Sequence, residues 1–377
     1  MALSALGFMV GTGGSAIVAK TLGEGKKKEA NEYFSMLVYI TLGGGIVLAI
    51  LGAIVVPFIA TALGAVIYAR ITFISMPAFM LQNVFQSFFV AAEKPKLGLG
   101  VIVTAGLTNM VLDYLFVGVL GYGLIGAAVA TVCGELIGGF FPVAYFARKN
   151  SSLLRLGKTH FNAAILKKTC TNGSSELMTN LSSSIVNSLY NIQLMKFVGQ
   201  DGVAAYGTIM YVNFVFLAIF FGYSIGSAPI VSYHYGAGNH PELKNLFKKS
   251  LTLISSWGIL LLVLSQLLAH PLSSLFVGYD ADLLAMTEHG FRIYALMYLI
   301  AGFNIFGSSF FTALNNGGVS AVISFLRTLL FQIAAVLLLP MIFDIDGIWI
   351  AISVAELLTL CVTATFLITQ RKKYHYA

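Results

Sequence analysis

The chain has 377 residues, of which 58% are hydrophobic and only 10% are charged. Soluble globular domains carry about 25% charged residues, so this composition excludes a water-facing surface of ordinary size, and the mean hydropathy of +0.87 agrees. A bilayer admits only helices or closed barrels. The apolar runs are about 20 residues long, which fits spanning helices rather than barrel strands. The sequence therefore predicts a polytopic membrane protein of the all-α class.

Eleven apolar segments are each long enough to cross a bilayer as a helix. The predicted helices cover residues 2–22, 33–60, 69–92, 97–119, 123–147, 173–198, 203–234, 247–269, 288–313, 318–341 and 347–370. Cys133, Cys170 and Cys361 are widely spaced in or beside these segments. This spacing favours small core residues over a disulfide or a metal site.

Basic residues are concentrated on one side of the predicted helices. Most of the 22 lysines and arginines lie in the connections after the first, third, fifth and seventh helices and in the C-terminal tail. Such loops stay in the cytoplasm, so we expect a multi-pass protein of the cell membrane with a cytoplasmic C-terminus. The net charge of +7 is then an orientation signal, and nucleic acid is not an expected partner.

Two segments 213 positions apart share a pattern of glycines and apolar residues. They are GGSAIVAKTLGEG (Gly13–Gly25) and GSAPIVSYHYGAG (Gly226–Gly238). RITFISM, which begins at Arg70, corresponds in the same way to RIYALMY, which begins at Arg292. Three ordered blocks at a nearly constant offset indicate an internal duplication, and the matching basic loops give both copies the same orientation.

The third block lies near the end of each copy. There Gly126, Ala130, Glu135 and Leu136 correspond to Gly347, Ala351, Glu356 and Leu357. We therefore predict an N-terminal lobe over residues 1–150, a cytoplasmic linker over 151–168, and a C-terminal lobe over 169–377. The first lobe has five predicted helices and the second has six. The helix over 173–198 has no counterpart, so we expect the first lobe to lack its leading helix, either by truncation or by loss.

The repeated segments, together with GLIGAAVATVCGEL (Gly123–Leu136), resemble the MATE (multidrug and toxic compound extrusion) family over the whole chain. The resemblance implies twelve helices in two lobes of six, a central cavity and alternating access. It also implies efflux of cationic or amphipathic drugs in exchange for protons or sodium ions, with no other cofactor. The missing first helix is a departure from that pattern. We expect a monomer whose partners are the drugs and the bilayer.

The helix predicted over 173–198 carries a stripe of polar side chains. Glu176, Asn180, Ser184, Asn187 and Asn191 fall within about 80° of one helical face. Such a stripe is costly against lipid. It therefore predicts either hydrogen bonds to other helices or a wall of the substrate cavity. Tyr190 is a further candidate at its edge.

Four carboxylates are candidates for coupling transport to protons or cations, because charged groups inside membrane segments are usually functional. They are Glu176, Asp113, Glu356 and Glu135. Glu176 fits equally well as an acidic residue at a helix N-terminus. Glu135 and Glu356 are repeat-equivalent and could instead be structural, since Arg327 can either extend toward water or pair with Glu356.

Polar side chains among many Phe, Tyr and Met residues are the remaining cavity candidates, since such surfaces suit amphipathic cations. They are Tyr211, Asn213, Gln82, Asn83 and Asn304. No enzyme constellation and no ATP-binding motif occurs in the sequence. Two other functions stay open. A flippase for lipid-linked oligosaccharides would need a more basic cavity, and a non-transporting fragment or scaffold would follow from the missing helix.

Overall fold

The computed structural model describes the backbone of residues 5–59 and 63–377 and the side chains of residues 5–55 and 66–377. In this part of the chain every regular element is helical, which confirms the all-α class. The helices are α1 (Ala5–Gly23), α2 (Lys27–Ile59), α3 (Leu63–Ile74), α4 (Met76–Ala91), α5 (Pro95–Asp113), α6 (Gly123–Ala147), α7 (Ala163–Asn172), α8 (Ser174–Phe197), α9 (Gln200–Gly236), α10 (His240–Val277), α11 (Ala281–Tyr294), α12 (Tyr298–Ala313), α13 (Gly317–Phe325), α14 (Phe331–Leu338) and α15 (Pro340–Tyr374).

Within the described residues, nine helical segments are long and apolar enough to cross a membrane, and a bent pair would make a tenth. The bent pair is α3 and α4, which meet at an angle of 51°. The remaining predicted span is α8. Its 24 residues are long enough to cross, but its polar side chains keep its mean hydropathy below that of a lipid-facing helix. Several helices also extend beyond the predicted apolar segments, because their ends continue into the polar region on either side.

Internal contacts divide the chain into two compact units at Gly173. The same features occur in both units at repeat-equivalent positions. Glu93 and Asn315 both have a positive φ, at 58° and 59°, in the turns that follow α4 and α12. Gly25 and Gly238 also have positive φ, at 79° and 67°, where the two repeated Gly-x-Gly segments end. These glycines allow a left-handed backbone that other residues adopt only at a cost.

The aromatic cores are repeated as well. In the first unit the ring of Phe34 packs 4.9 Å from that of Phe88, and in the second unit Phe247 packs 5.2 Å from Phe310. The first pair packs α2 against α4, and the second packs α10 against α12. In each unit the first of these helices follows the Gly-x-Gly segment. The duplication seen in the sequence is therefore also a duplication of packing.

The segment that was predicted as a linker is anchored to the first unit. It runs along α2, where Arg155 N donates to Asn31 Oδ1 (2.6 Å), Gly157 N donates to Ser35 Oγ (3.0 Å) and Thr159 Oγ1 donates to the backbone oxygen of Glu32 (2.7 Å). The short helix α7 then packs on α1. The first unit therefore includes the predicted linker and α7, and it ends at Gly173.

Helix α7 approaches α1 through glycines. A Cβ atom added at Gly13 would collide with the backbone oxygen of Thr169, and one added at Gly173 would collide with that of Met9. No larger residue fits at either point without a shift of the backbone. The two glycines thus set the distance between α1 and α7.

Candidate functional site

A largely buried ion pair lies within the second unit. Arg327 Nε and Nη2 lie 2.8 and 2.7 Å from Glu356 Oε1, and the side chains are 11% and 2% exposed. Asn304 donates to Glu356 Oε2 at 2.7 Å, and Thr363 Oγ1 donates to Asn304 Oδ1 at 2.9 Å. Each oxygen of the Glu356 carboxylate therefore has a donor. The pairing that the sequence offered as one alternative for Arg327 is the one found.

Arg327 lies in a π-helical turn, Leu326–Leu330, between α13 and α14. Such turns are rare and often occur at functional sites. The first unit has a π-helical turn too, at Tyr114–Val119, immediately after Asp113. Each unit thus has a charged side chain at an irregular turn inside a membrane-spanning segment.

Glu176 lies in the first turn of α8, half-buried within the second unit. It interacts electrostatically with Arg327, but the ion pair of that guanidinium is with Glu356. One arginine therefore lies near two carboxylates, and the group carries a net negative charge when both are ionised. A proton or a monovalent cation at Glu176 would neutralise it.

The equivalent position in the first unit has no arginine. Glu135 on α6 corresponds to Glu356. The equivalent turns at Glu93 and Asn315 are 222 positions apart, and at this offset Ala105 of α5 occupies the position of Arg327. Ala105 is buried, and its backbone oxygen lies 2.9 Å from the position of a Cβ atom added at Gly134. Close packing of small residues therefore takes the place of the ion pair.

The carboxylate of Glu135 has little compensation. One of its oxygens is buried without a hydrogen-bond partner in the described part of the chain, and the carboxyl group interacts with the hydroxyl of Ser75 at the α3–α4 break. No ion pair involving Glu135 occurs among the described residues. Glu135 is thus a carboxylate in a membrane-spanning helix with one buried oxygen that lacks a donor among the described residues.

In the first unit, Asp113 lies one helical turn from a polar contact between α5 and α6. One oxygen of Asp113 is buried and accepts no hydrogen bond from the described residues. One turn earlier, Asn109 Nδ2 donates to Thr131 Oγ1 of α6 at 3.4 Å. Sequence reasoning missed Asn109 and Thr131. The spacing of four between Asn109 and Asp113 was the available signal, because it places both on one face of α5.

The polar stripe of α8 lies beside its buried face. Ser182, Val186, Tyr190 and Leu194 face the interior of the second unit, whereas Ser184, Asn187 and Asn191 are exposed and Asn180 is half-buried. Tyr206 holds Asn187 by donating to its Oδ1 at 2.8 Å, and the Tyr206 ring stacks on Tyr190 at 4.8 Å. Within the stripe, Asn187 is therefore bonded to another helix, whereas Ser184 and Asn191 remain exposed.

The other cavity candidates occupy different environments. Asn304 is fully buried and committed to Glu356, and Asn213 is buried and accepts from Tyr298 at 3.2 Å. Tyr211 is 68% exposed and stacks on Phe276.

Two of these candidates are in the first unit. Gln82 packs against Gly138 of α6, and Asn83 is buried beside Gly7 of α1. The Oε1 atom of Gln82 and the Nδ2 atom of Asn83 are buried without partners among the described residues. The described residues contain no group of three or more His, Cys, Asp or Glu side chains that could hold a metal ion.

This arrangement of helices and buried charges can be compared with known proteins. The sequence model of the MatE family matches residues 1–115 and 177–338, which is most of the chain. The chain belongs to the MatE family. Members of this family are transporters, so the chain is a membrane transporter and not an enzyme.

Curated relatives share a quarter or less of their residues with this MatE chain. Multidrug export protein MepA from Staphylococcus haemolyticus (strain JCSC1435) is 23% identical over 373 residues, covering 95% of this chain and 80% of that protein. Multidrug export protein MepA from Staphylococcus aureus (strain NCTC 8325 / PS 47) is 24% identical over 387 residues, covering 97% of this chain and 82% of that protein.

Solved structures share the fold of this MatE chain. A MATE protein crystallised in complex with MaL6 has a TM-score of 0.94 at 19% identity, covering 100% of this chain and 87% of that one. A transporter of the MOP superfamily from Pyrococcus furiosus has a TM-score of 0.92 at 19% identity, covering 99% and 86%. The fold is therefore that of a MATE transporter.

Proposed function

We propose that this chain exports amphipathic organic cations in exchange for protons or sodium ions. The relatives named as multidrug export proteins support the substrate class. The coupling to an ion is inferred from a difference in charge pairing between the two units. Glu356 is neutralised by Arg327, whereas Glu135 and Asp113 lie in membrane-spanning helices without a basic partner among the described residues.

An uncompensated carboxylate in a membrane is costly unless it is protonated or binds a cation. A cationic drug and a coupling ion can therefore compete for the same negative charge, which is the requirement for exchange. We assign Glu135 as the principal coupling residue of the first unit, with Asp113 beside it. Glu176 is the corresponding candidate of the second unit, and Glu356 holds Arg327 in place.

The substrate surface in this proposal includes the exposed stripe of α8. Ser184 and Asn191 are polar and exposed on a helix that is too polar for lipid, so water is the favoured neighbour. Asn180 and Asn187 border the same surface, and the exposed Tyr211 is a further candidate in the second unit. Aromatic rings near these amides suit cations with apolar bodies. We place the basic loops and the C-terminus in the cytoplasm of a cell membrane, and we expect a monomer.

The test uses the purified chain in liposomes with ethidium as the transported cation. Ethidium movement is measured under an imposed proton gradient, an imposed sodium gradient, and neither. We expect transport driven by one of the two gradients, and we expect Glu135→Gln to abolish that dependence. Glu32→Gln, which removes a carboxylate from the first turns of α2, is the matched control and should retain it.

No movement of ethidium under either gradient would overturn the proposed export. Gradient-driven transport that survives in Glu135→Gln would instead remove Glu135 from the coupling role. Repeating the experiment with Asp113→Asn and Glu176→Gln then tests the candidate carboxylates of the first and second units separately. The accessibility of cysteines introduced at Lys28 and Lys372 to an impermeant reagent tests the cytoplasmic placement.

A further inference from the structure

An open groove of about 500 Å³ runs along one face of α10. It is lined by Lys248, Lys249, Thr252, Leu253, Ser256, Trp257 and Leu260. Positions four residues apart lie on one face of a helix, so this set forms a continuous strip along α10. The opposite face, with Ser250, Ile254 and Leu261, is buried in the second unit.

The strip changes from charged to apolar along the helix. Lys248 and Lys249 lie near the start of α10, the exposed ring of Trp257 follows, and Leu260 is 43% exposed at the other end. The 12 residue steps from Lys248 to Leu260 span about 18 Å of helix. Half of a hydrocarbon core is about 15 Å thick. A groove of this length that begins in the headgroup region extends through most of one leaflet toward the bilayer midplane.

The two lysines have no acidic partner in the described part of the chain. The acidic side chain in the first turn of α10, Glu242, accepts hydrogen bonds from Asn245 instead. The hydroxyls of Thr252 and Ser256 donate to backbone oxygens of their own helix. The hydrogen-bond donors left to a ligand are thus the two ammonium groups and the indole N–H of Trp257. The two positive charges favour an anion and repel a cationic drug.

We propose that this groove binds an anionic phospholipid. The phosphate lies between Lys248 and Lys249, the glycerol region beside Trp257, and one acyl chain over Leu253 and Leu260. Basic residues next to a membrane attract anionic headgroups, and an indole ring prefers the depth between headgroup and hydrocarbon. This site is independent of the transport cycle proposed above, since it depends only on α10.

The experiment is native mass spectrometry of the purified chain with phosphatidylglycerol and, separately, phosphatidylcholine of the same acyl chains. The chain should retain phosphatidylglycerol in preference. In the double variant Lys248→Gln/Lys249→Gln this affinity should fall roughly thirtyfold. The matched control is Lys27→Gln/Lys28→Gln, which removes two exposed lysines from the first turn of α2.

Equal retention of the two lipids by the native chain, or equal loss of phosphatidylglycerol in both double variants, would overturn the proposal. Lys248→Arg/Lys249→Arg keeps both charges and should bind as the native chain does. It serves as the reference if the glutamine variant unfolds, and loss of binding in the arginine variant would also count against the site. Water-soluble glycerophosphate should not displace the lipid, since it lacks the chain that covers Leu253 and Leu260.

Discussion

The guanidinium of Arg327 lies 2.7 Å from the carboxylate of Glu356 in the second unit, where Glu356 is buried and Arg327 is largely buried. The two residues are on different helical segments, so the pair connects the π-helical turn after α13 with α15. Asn304 of α12 completes the carboxylate's hydrogen bonds. The negative charge of Glu356 is therefore compensated within the protein, which favours a structural role for this residue.

Breaking this pair from one side should destabilise the protein strongly. Arg327→Met leaves Glu356 buried without its cation, and such a loss typically costs about 3–5 kcal/mol. Adding Glu356→Gln removes the orphaned charge while Asn304 can still donate, so the double variant should recover much of the loss. The midpoint of thermal unfolding in detergent measures this. A double variant that is less stable than Arg327→Met would contradict the pairing.

The sequence predicted the helices and the duplication, because hydropathy and repeated residues can be recognised in the chain alone. It left Arg327 with two alternatives, since a residue's depth in the membrane does not identify its partner. Asn304 illustrates the limit. An amide in an apolar helix fits a cavity wall and a buried network equally, and the contact with Glu356 joins residues 52 positions apart.

Other features could not be predicted because they depend on helix packing. The contrast between Ala105 and Arg327 becomes visible only when the two units are compared at the same depth. The attachment of the linker to α2 rests on backbone atoms that bond to Asn31 and Ser35, and its sequence has no pattern that identifies these partners.

Repeat-equivalent glycines should respond differently to alanine. Gly13→Ala forces α1 away from Thr169, and overpacking of this kind costs about 1–3 kcal/mol. Gly226→Ala has open space around the new Cβ atom. It should be neutral or stabilising by up to about 1 kcal/mol, since alanine favours a helix. Thermal unfolding of the two variants provides the comparison, and equal destabilisation would show that α7 does not limit residue size at Gly13.

The exposed polar stripe of α8 should be required for transport and dispensable for folding. Asn191→Leu adds an apolar side chain at an exposed site, so it should lower ethidium efflux without lowering the unfolding midpoint. Ile192→Ala, at the 63% exposed neighbouring position, is the control and should leave efflux unchanged. Asn191→Leu with normal efflux and a raised midpoint would mean that this face meets lipid and not the substrate.

The linker should remain fixed to α2 while transport proceeds. Gly157 lies beside Ser35, and a Cβ atom at Gly157 meets no atom within 4 Å, so a cysteine fits there. With Cys133, Cys170 and Cys361 replaced by serine, Ser35→Cys/Gly157→Cys should form a disulfide. Because the linker is already bonded along α2, we expect equal ethidium efflux in the oxidised and reduced forms. Efflux that falls on oxidation and returns with a reductant would show that the linker must separate from α2 during each cycle. The single variants Ser35→Cys and Gly157→Cys control for effects of oxidation alone, and retained efflux in the cross-linked form would show that the linker need not leave α2 during transport.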